Sequence, residues 1–201
     1  MNIQCKDLSS SQIYHLMVQT VVPRPIAWVL TEGPGAVLNL APFSYFNAVS
    51  SDPNLLMISV GHKSTGEKKD TWQNLESRGH AVVHIPSSAL AEKVSLSAAE
   101  LPAEDSEVDL AQLETVVEPG FSLPRLVDAK IAFDVTLYET KVLGRQGLLF
   151  LEVHRVFVAD DSITEQAGRL KVDAQSVDPL ARLGGSEYLT AGETLIVKRP
   201  K

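Results

Sequence analysis

The sequence predicts a mainly-β (α+β) chain of about six or seven mostly antiparallel strands, with short helices inserted between some of them and closure into a small barrel. Three observations predict this. Short runs of β-branched and aromatic residues recur between Gly, Pro and Asp turn signals. Most neighbouring runs read as antiparallel pairs, and closing them into a barrel removes the exposed edges they would otherwise present. No G-x-G-x-x-G follows any predicted strand, so the dinucleotide crevice of a doubly wound sheet is not expected.

Residues 11–20 carry Ile13, Leu16 and Met17 at helical spacing after a run of serines, which predicts a short capped helix. Pro23-Arg24-Pro25 then forces the chain to extend. A strand over 26–30, a turn over 32–35 and a return strand over 37–41 make a hairpin. Residues 43–49 show neither clean alternation nor a helical stripe and read as a structured loop or bulged strand. After the Asp52-Pro53 turn, 55–60 reads as a strand buried on both faces. Residues 61–69 form a polar loop with Lys63, Lys68 and Lys69. A helix is expected from Asp70, with the Asp70 side chain as cap and Gln73 completing a capping box, ending at Arg78-Gly79. A strand follows over 80–85 up to Pro86, and Ser87-Ser88 should cap a helix over 89–95.

From Val94 to Pro124 there is no Lys or Arg, while Glu100, Glu104, Asp105, Glu107, Asp109, Glu114 and Glu118 accumulate. This reads as an exposed acidic helical excursion at about 94–124, most simply a solvated face. Two long strands over 130–140 and 148–159 form a hairpin through 142–147. With no internal repeat, 1–201 reads as one domain.

The 44% apolar content of this 201-residue chain is enough to bury a core. A formal charge of −7, with no Lys/Arg cluster, argues against nucleic acid and acidic membrane surfaces as partners. The longest apolar runs, such as 55–60, are too short to span a bilayer, and residues 1–4 start no signal peptide, so the expectation is a cytoplasmic protein. Cys5 stands alone and the five histidines show no metal spacing, so neither a disulfide nor a metal is expected. Nothing resembles a Ser/His/Asp or Cys/His arrangement.

Three clusters could carry chemistry. The first runs from Pro23 through Val29 and then from Asn39 to Pro53, placing backbone amides and short polar side chains beside aromatic surface. That combination suits a planar ring with a heteroatom rim, and it equally suits a hairpin packed by its own aromatics. The second, Lys63 to Thr71, sets ammonium groups at a helix start, which suits a phosphate, with Lys69 and Thr71 carrying more of it if Asp70 caps, and taken by itself equally reads as a solvated lysine loop. The third is 182–188, where Gly184 and Gly185 permit a tight turn and Tyr188 could cover a ring face.

The segments P-R-P-I-A-W-V at 23–29 and N-L-A-P-F-S-Y-F-N-A-V-S-S-D-P at 39–53 resemble the flavin reductase-like family of FMN-binding split β-barrel proteins. Agreement continues through 55–61, 69–75, 81–86 and 183–185. The resemblance implies a homodimer with each FMN at the subunit interface, and an oxidoreductase in which FMN takes hydride from NADH or NADPH and hands electrons to a flavin, a protein partner or oxygen. The alternative it implies is an FMN-binding electron carrier or flavin store without a nicotinamide site. The flavin carries that chemistry, so no catalytic side chain is expected. The implied cofactor contacts are Ala41, Pro42, Phe43, Ser44, Phe46 and Asn47 for the ring, and Ser59, Val60, Gly61, Lys63, Lys69 and Thr71 towards the phosphate. Arg24 is implied at the ribityl-phosphate end, and Tyr188 is the candidate ring cover. Relatives often carry a histidine where this chain has Gly144-Arg145-Gln146-Gly147, which bears on nicotinamide use; Arg145 is a candidate contact for an acidic nucleotide. They often carry an asparagine where this chain has His84, here expected to be a hydrogen-bonded core residue. The acidic excursion is a further candidate, as a docking surface for a flavin-accepting partner protein.

Overall fold

A computed structural model describes residues 1–198 and residue 200. Helix α1 (Ser10–Thr20) comes first. Seven strands follow: β1 (Ala27–Glu32), β2 (Leu38–Phe43), β3 (Phe46–Ser51), β4 (Asn54–Val60), β5 (His80–Ile85), β6 (Ile131–Leu143) and β7 (Gln146–Val158). They form one sheet in the order β2-β1-β5-β6-β7-β4-β3, with every pairing antiparallel. The two edge strands, β2 and β3, are consecutive and joined only by Ser44 and Tyr45. Two residues thus bring the ends of the sheet together, and it curls into a barrel with one unpaired seam.

Helix α2 (Asp70–Arg78) supplies Trp72 and Leu75 to the barrel interior, where they pack with Val29, Ile58, Val83, Val135, Leu149 and Leu151. A second core lies outside the barrel, where Trp28, Leu30, Leu40 and Val82 are covered by residues between 90 and 129 and by Leu180. Side chains alternate between the faces of a strand, so β1 sends Ala27 and Val29 inward and Trp28 and Leu30 outward, and both sets are buried.

The cover on that outer face corrects the expected exposed helical excursion at 94–124. Its helices are short: α3 (Ala91–Leu96) and α4 (Glu107–Leu110), followed by a two-stranded ladder of Thr115–Val116 with Arg125–Leu126. Val94, Val108, Ala111, Leu113, Leu123 and Leu126 are all buried. The apolar residues scattered among the acids are the outer core, and Glu107 is buried with them at 4% exposure.

Several local expectations hold. The Ser9 hydroxyl accepts from the Gln12 amide (3.3 Å) and Gln12 Oε1 accepts from the Ser9 amide (2.9 Å), a capping box for α1. Gly79 closes α2 in the left-handed conformation, φ 78°. The stretch read as a loop or bulged strand is β3, with a register shift between Ala48 and Ser50. Others fail. Asp70 is the first residue of α2 and not its cap, because its carboxylate is taken by Lys63 Nζ at 2.6 Å, and Gln73 donates to the Lys68 carbonyl. Neither Ser87 nor Ser88 caps the next helix; the Ser88 hydroxyl turns to the Asp178 carboxylate instead. Strand β4 is fully buried on one face only along most of its length: Leu56, Ile58 and Val60 point inward, while on the outward face Leu55 is buried and Met57 and Ser59 remain partly exposed.

Candidate functional site

Arg24 builds one wall of the site. It is 5% exposed, and its guanidinium donates to the carbonyls of Val18, Val21 (3.0 Å) and Leu183 (2.8 Å), with Nε donating to Ser44 Oγ at 3.3 Å. The Arg24–Pro25 segment also pairs with Ala181–Arg182, which in turn pairs with Tyr188–Leu189. The end of α1, the seam residue Ser44 and the C-terminal segment are therefore fastened at one side chain.

Against this wall lies a cavity of about 600 Å³. Met17, Val21 and Pro23 form its α1 side, Ser44 to Asn47 its seam, Met57 and Ser59 its β4 side, and Leu143, Gln146 and Leu148 its β6–β7 side. The surface is mainly apolar, with Ser44, Asn47, Ser59 and Gln146 as polar points. The Ser59 hydroxyl donates to Gln146 Oε1 at 3.2 Å, and a Cβ on Gly61 would stand 3.4 Å from the Gln146 amide. Burial, helped by Tyr14 and opposed by Arg24, pushes the Tyr45 phenol above its usual range, so it stays neutral. A space of this kind suits a flat, largely apolar ligand with a few hydrogen-bonding edges.

A second, smaller cavity of about 60 Å³ lies at the start of α2. It is lined by Asn39, Ala41, Pro42, Phe43, Lys63, Lys69, Asp70, Thr71, the 97–100 turn and Glu107. No side chain caps α2, so the positive end of the helix dipole stays open, and Lys69 makes no ion pair among the described residues. A small anion fits that chemistry. A third hollow, about 270 Å³, shares Ser44 with the first and Pro42 with the second, and is bordered by Tyr14, Arg182 and Tyr188. Together the three surround the Pro42–Ser44 backbone, with the Arg182 guanidinium 4.4 Å from the Tyr188 ring centre.

The residues named from sequence distribute over these spaces. Arg24, Ser44, Phe46, Asn47 and Ser59 line the large cavity; Ala41, Pro42, Phe43, Lys63, Lys69 and Thr71 line the small one; Tyr188 borders the third. Val60 and Gly61 line none of the three: the Val60 side chain is in the barrel core and Gly61 backs onto Gln146. Arg24, expected at the ribityl-phosphate end, lines the large cavity and not the small one, and its guanidinium donates to the Val18, Val21 and Leu183 carbonyls. Sequence reasoning missed Met57 and Gln146, and it missed Asn39 and Glu107 as a pair: two Asn39–Glu107 contacts, 3.1 and 3.0 Å, form only when the excursion folds back. The signal was Val108 and Ala111 among the acids, apolar positions that need a core.

His84 is a fully buried structural residue, as expected. Its Nδ1–H donates to the Trp28 carbonyl and its Nε2 accepts from the Leu126 amide, both at 3.0 Å. Burial holds its pKa down at about 4, with Arg125 adding and the Trp28 hydrogen bond opposing.

Comparison with known proteins places this geometry. Residues 18–175 match the flavin reductase like domain. An uncharacterised protein of Halalkalibacterium halodurans is 35% identical over 206 residues, covering 100% of this chain and 97% of that one. The crystal structure of nitrilotriacetate monooxygenase component B from Bacillus cereus superposes with a TM-score of 0.89 at 32% identity, over 98% of each chain. A split-barrel-domain protein of Shewanella frigidimarina superposes at 0.85 with 17% identity over 100% of both chains, a likeness of fold: the barrel with its seam is a split β-barrel.

Proposed function

The chain belongs to the flavin reductase-like family, and from that premise we propose that it is a cytoplasmic FMN-binding homodimer that takes hydride from NADH or NADPH and passes electrons to a flavin or a protein acceptor. The observation that carries this reading is the division of the site around Pro42–Ser44. A ring-sized, mainly apolar space lies on one side and an anion-sized space with Lys69, Thr71 and an uncapped helix start on the other. A flat heterocycle with a phosphorylated tail needs both. Ser44, Asn47, Ser59 and Gln146 offer hydrogen bonds to the ring edge, Met57 and Leu148 exclude water, and Lys69 with Thr71 holds the phosphate. When bound, FMN supplies the hydride and electron chemistry, so this chain's side chains bind and orient.

The outward side of β3, β4 and β7 supports the dimer. Cross-strand partners Asn47, Met57 and Phe150, with Ser59 and Leu148 beside them, form a partly exposed and largely apolar strip that continues into the large cavity. A second copy would cover the strip and the mouth together. The likeness to a monooxygenase component B supports a protein acceptor. One observation favours an FMN electron carrier as second reading: among the described residues the only cation lining the large cavity, Arg24, is already engaged, leaving little there to hold a dinucleotide's phosphates.

Purified protein should be yellow with the absorption bands of bound flavin, and anaerobic mixing with NADH or NADPH should bleach it within seconds. Bleaching by dithionite but by neither nucleotide would select the carrier. Colourless protein that refuses added FMN would remove both readings.

A further inference from the structure

Glu107 is a carboxylate with almost no access to solvent, and among the described residues no Lys or Arg pairs with it. Its Oε2 accepts from the Leu40 amide at 2.9 Å and from Asn39 Nδ2 at 3.0 Å. Asn39 Oδ1, at the other end of that amide, accepts from Thr71 Oγ1 at 3.1 Å and Thr31 Oγ1 at 3.3 Å, and Thr31 accepts from Asn74. The chain of contacts thus starts in the acidic cover and ends at Thr71, which lines the small cavity.

Hydrogen-bond parity fixes the direction of this chain. An ionised carboxylate only accepts, so Asn39 must turn its NH₂ to Glu107 and its oxygen to Thr71. Thr71 then donates inward and offers the cavity only lone pairs, which repel an anion. A protonated Glu107 can donate to Asn39 Oδ1; the amide then turns over and its NH₂ donates to Thr71 and Thr31, the Asn74 amide turns with it so that its oxygen accepts from Thr31, and the Thr71 O–H swings to point into the cavity.

We propose that Glu107 is a positioning residue whose proton, relayed through the Asn39 amide, decides whether the Thr71 hydroxyl donates to the phosphate of a ligand in the small cavity. The proposal rests on the FMN reading above and adds a proton to it: the phosphate binds with uptake of one proton at Glu107. The charged groups facing Glu107 are Lys63, Lys69 and Asp70 from the start of α2, and Glu100 and Asp105 from the cover. Lys63 is neutralised by Asp70 at 2.6 Å, so one unpaired ammonium faces three carboxylates besides Asp70, and a phosphate entering there favours the neutral form of the buried one. Burial already pushes the Glu107 carboxyl above its usual range, with Asp70 adding and the Leu40 and Asn39 hydrogen bonds opposing.

The test is the pH profile of FMN affinity in the full chain, with riboflavin as the probe lacking a phosphate. Wild type should lose FMN affinity by up to about tenfold per pH unit above the Glu107 titration, beyond what the phosphate's own ionisation causes. Glu107→Gln should abolish that extra slope and bind more tightly than wild type at the alkaline end, while riboflavin affinity shows no such difference. The gain in Glu107→Gln should vanish when combined with Thr71→Val; its persistence would mean simple charge repulsion and overturn the relay. Calorimetry of wild type in two buffers of different ionisation heat reads the proton directly, whatever the variants' folding: about one proton more taken up with FMN than with riboflavin is expected, and none overturns the proposal. FMN bound with equal pH profiles in wild type and Glu107→Gln defeats the relay alone, whereas no FMN binding at any pH defeats the FMN reading and the relay with it.

Discussion

At the scale of single residues, His84 shows how a local pattern can be read correctly while its consequence needs the fold. A histidine inside an apolar strand reads as a core residue, but only the pairing of β5 with β1 supplies the Trp28 carbonyl and only the folded cover supplies the Leu126 amide. The Leu126 contact needs a neutral ring, since a proton on Nε2 would face the Leu126 N–H donor to donor, whereas the Trp28 contact persists in either state. The folded pKa near 4 lies below the unfolded value near 6.5, so between those limits the unfolded chain binds a proton that the native chain refuses. Stability from this group is complete above pH 6.5 and is lost as pH falls towards 4, by about 3 kcal/mol in all. Urea midpoints measured between pH 7 and 4 should fall more steeply for wild type than for His84→Asn; parallel curves would show that the ring does not resist protonation. Lys69 and Thr71 were legible because the sequence marks a helix start after a lysine loop. Glu107 was not, because an acid in an acidic run looks solvated until the chain folds back on it.

Among elements, the strands were legible wherever alternation or a β-branched run was unbroken, and β5 falls at the expected bounds. The β6–β7 hairpin is longer and tighter than the sequence reading: the turn is Gly144–Arg145 alone, because both strands continue through residues that looked like loop. That extension carries Leu143 and Gln146 to the large cavity, beside Leu148. It also places Gly147 against α2, where a Cβ would lie 2.6 Å from the buried Trp72 ring. Gly147→Ala should therefore cost about 1–3 kcal/mol by overpacking and change the Trp72 fluorescence. An unchanged urea midpoint and spectrum would mean that ring and hairpin do not meet as described. The missed caps at Asp70 and Ser88 share one cause: a distant partner, Lys63 or Asp178, won the side chain's hydrogen bond over the nearby amides.

For the molecule as a whole, the barrel class was legible and the strand order was not. Pairings such as β4 with β7 join residues some ninety positions apart, and no local signal encodes them. The partly open outward face of β4 was likewise hidden, since a continuous apolar run reads as fully buried, and its Met57 lies on the strip proposed above as the dimer contact. Phe150 stands opposite Met57 on that strip, so Phe150→Glu should give a single-chain species by light scattering and weaken flavin retention at the adjoining cavity. A variant that stays dimeric with flavin fully retained would place the interface elsewhere.

The clamp at Arg24 has a consequence for how the protein is made. One planar group holds the α1 carbonyls and a carbonyl 159 positions downstream, at Leu183. A nascent polypeptide that has not yet reached Leu183 has nothing to complete that wall. The wall is thus among the last parts of the large cavity that a growing chain can assemble.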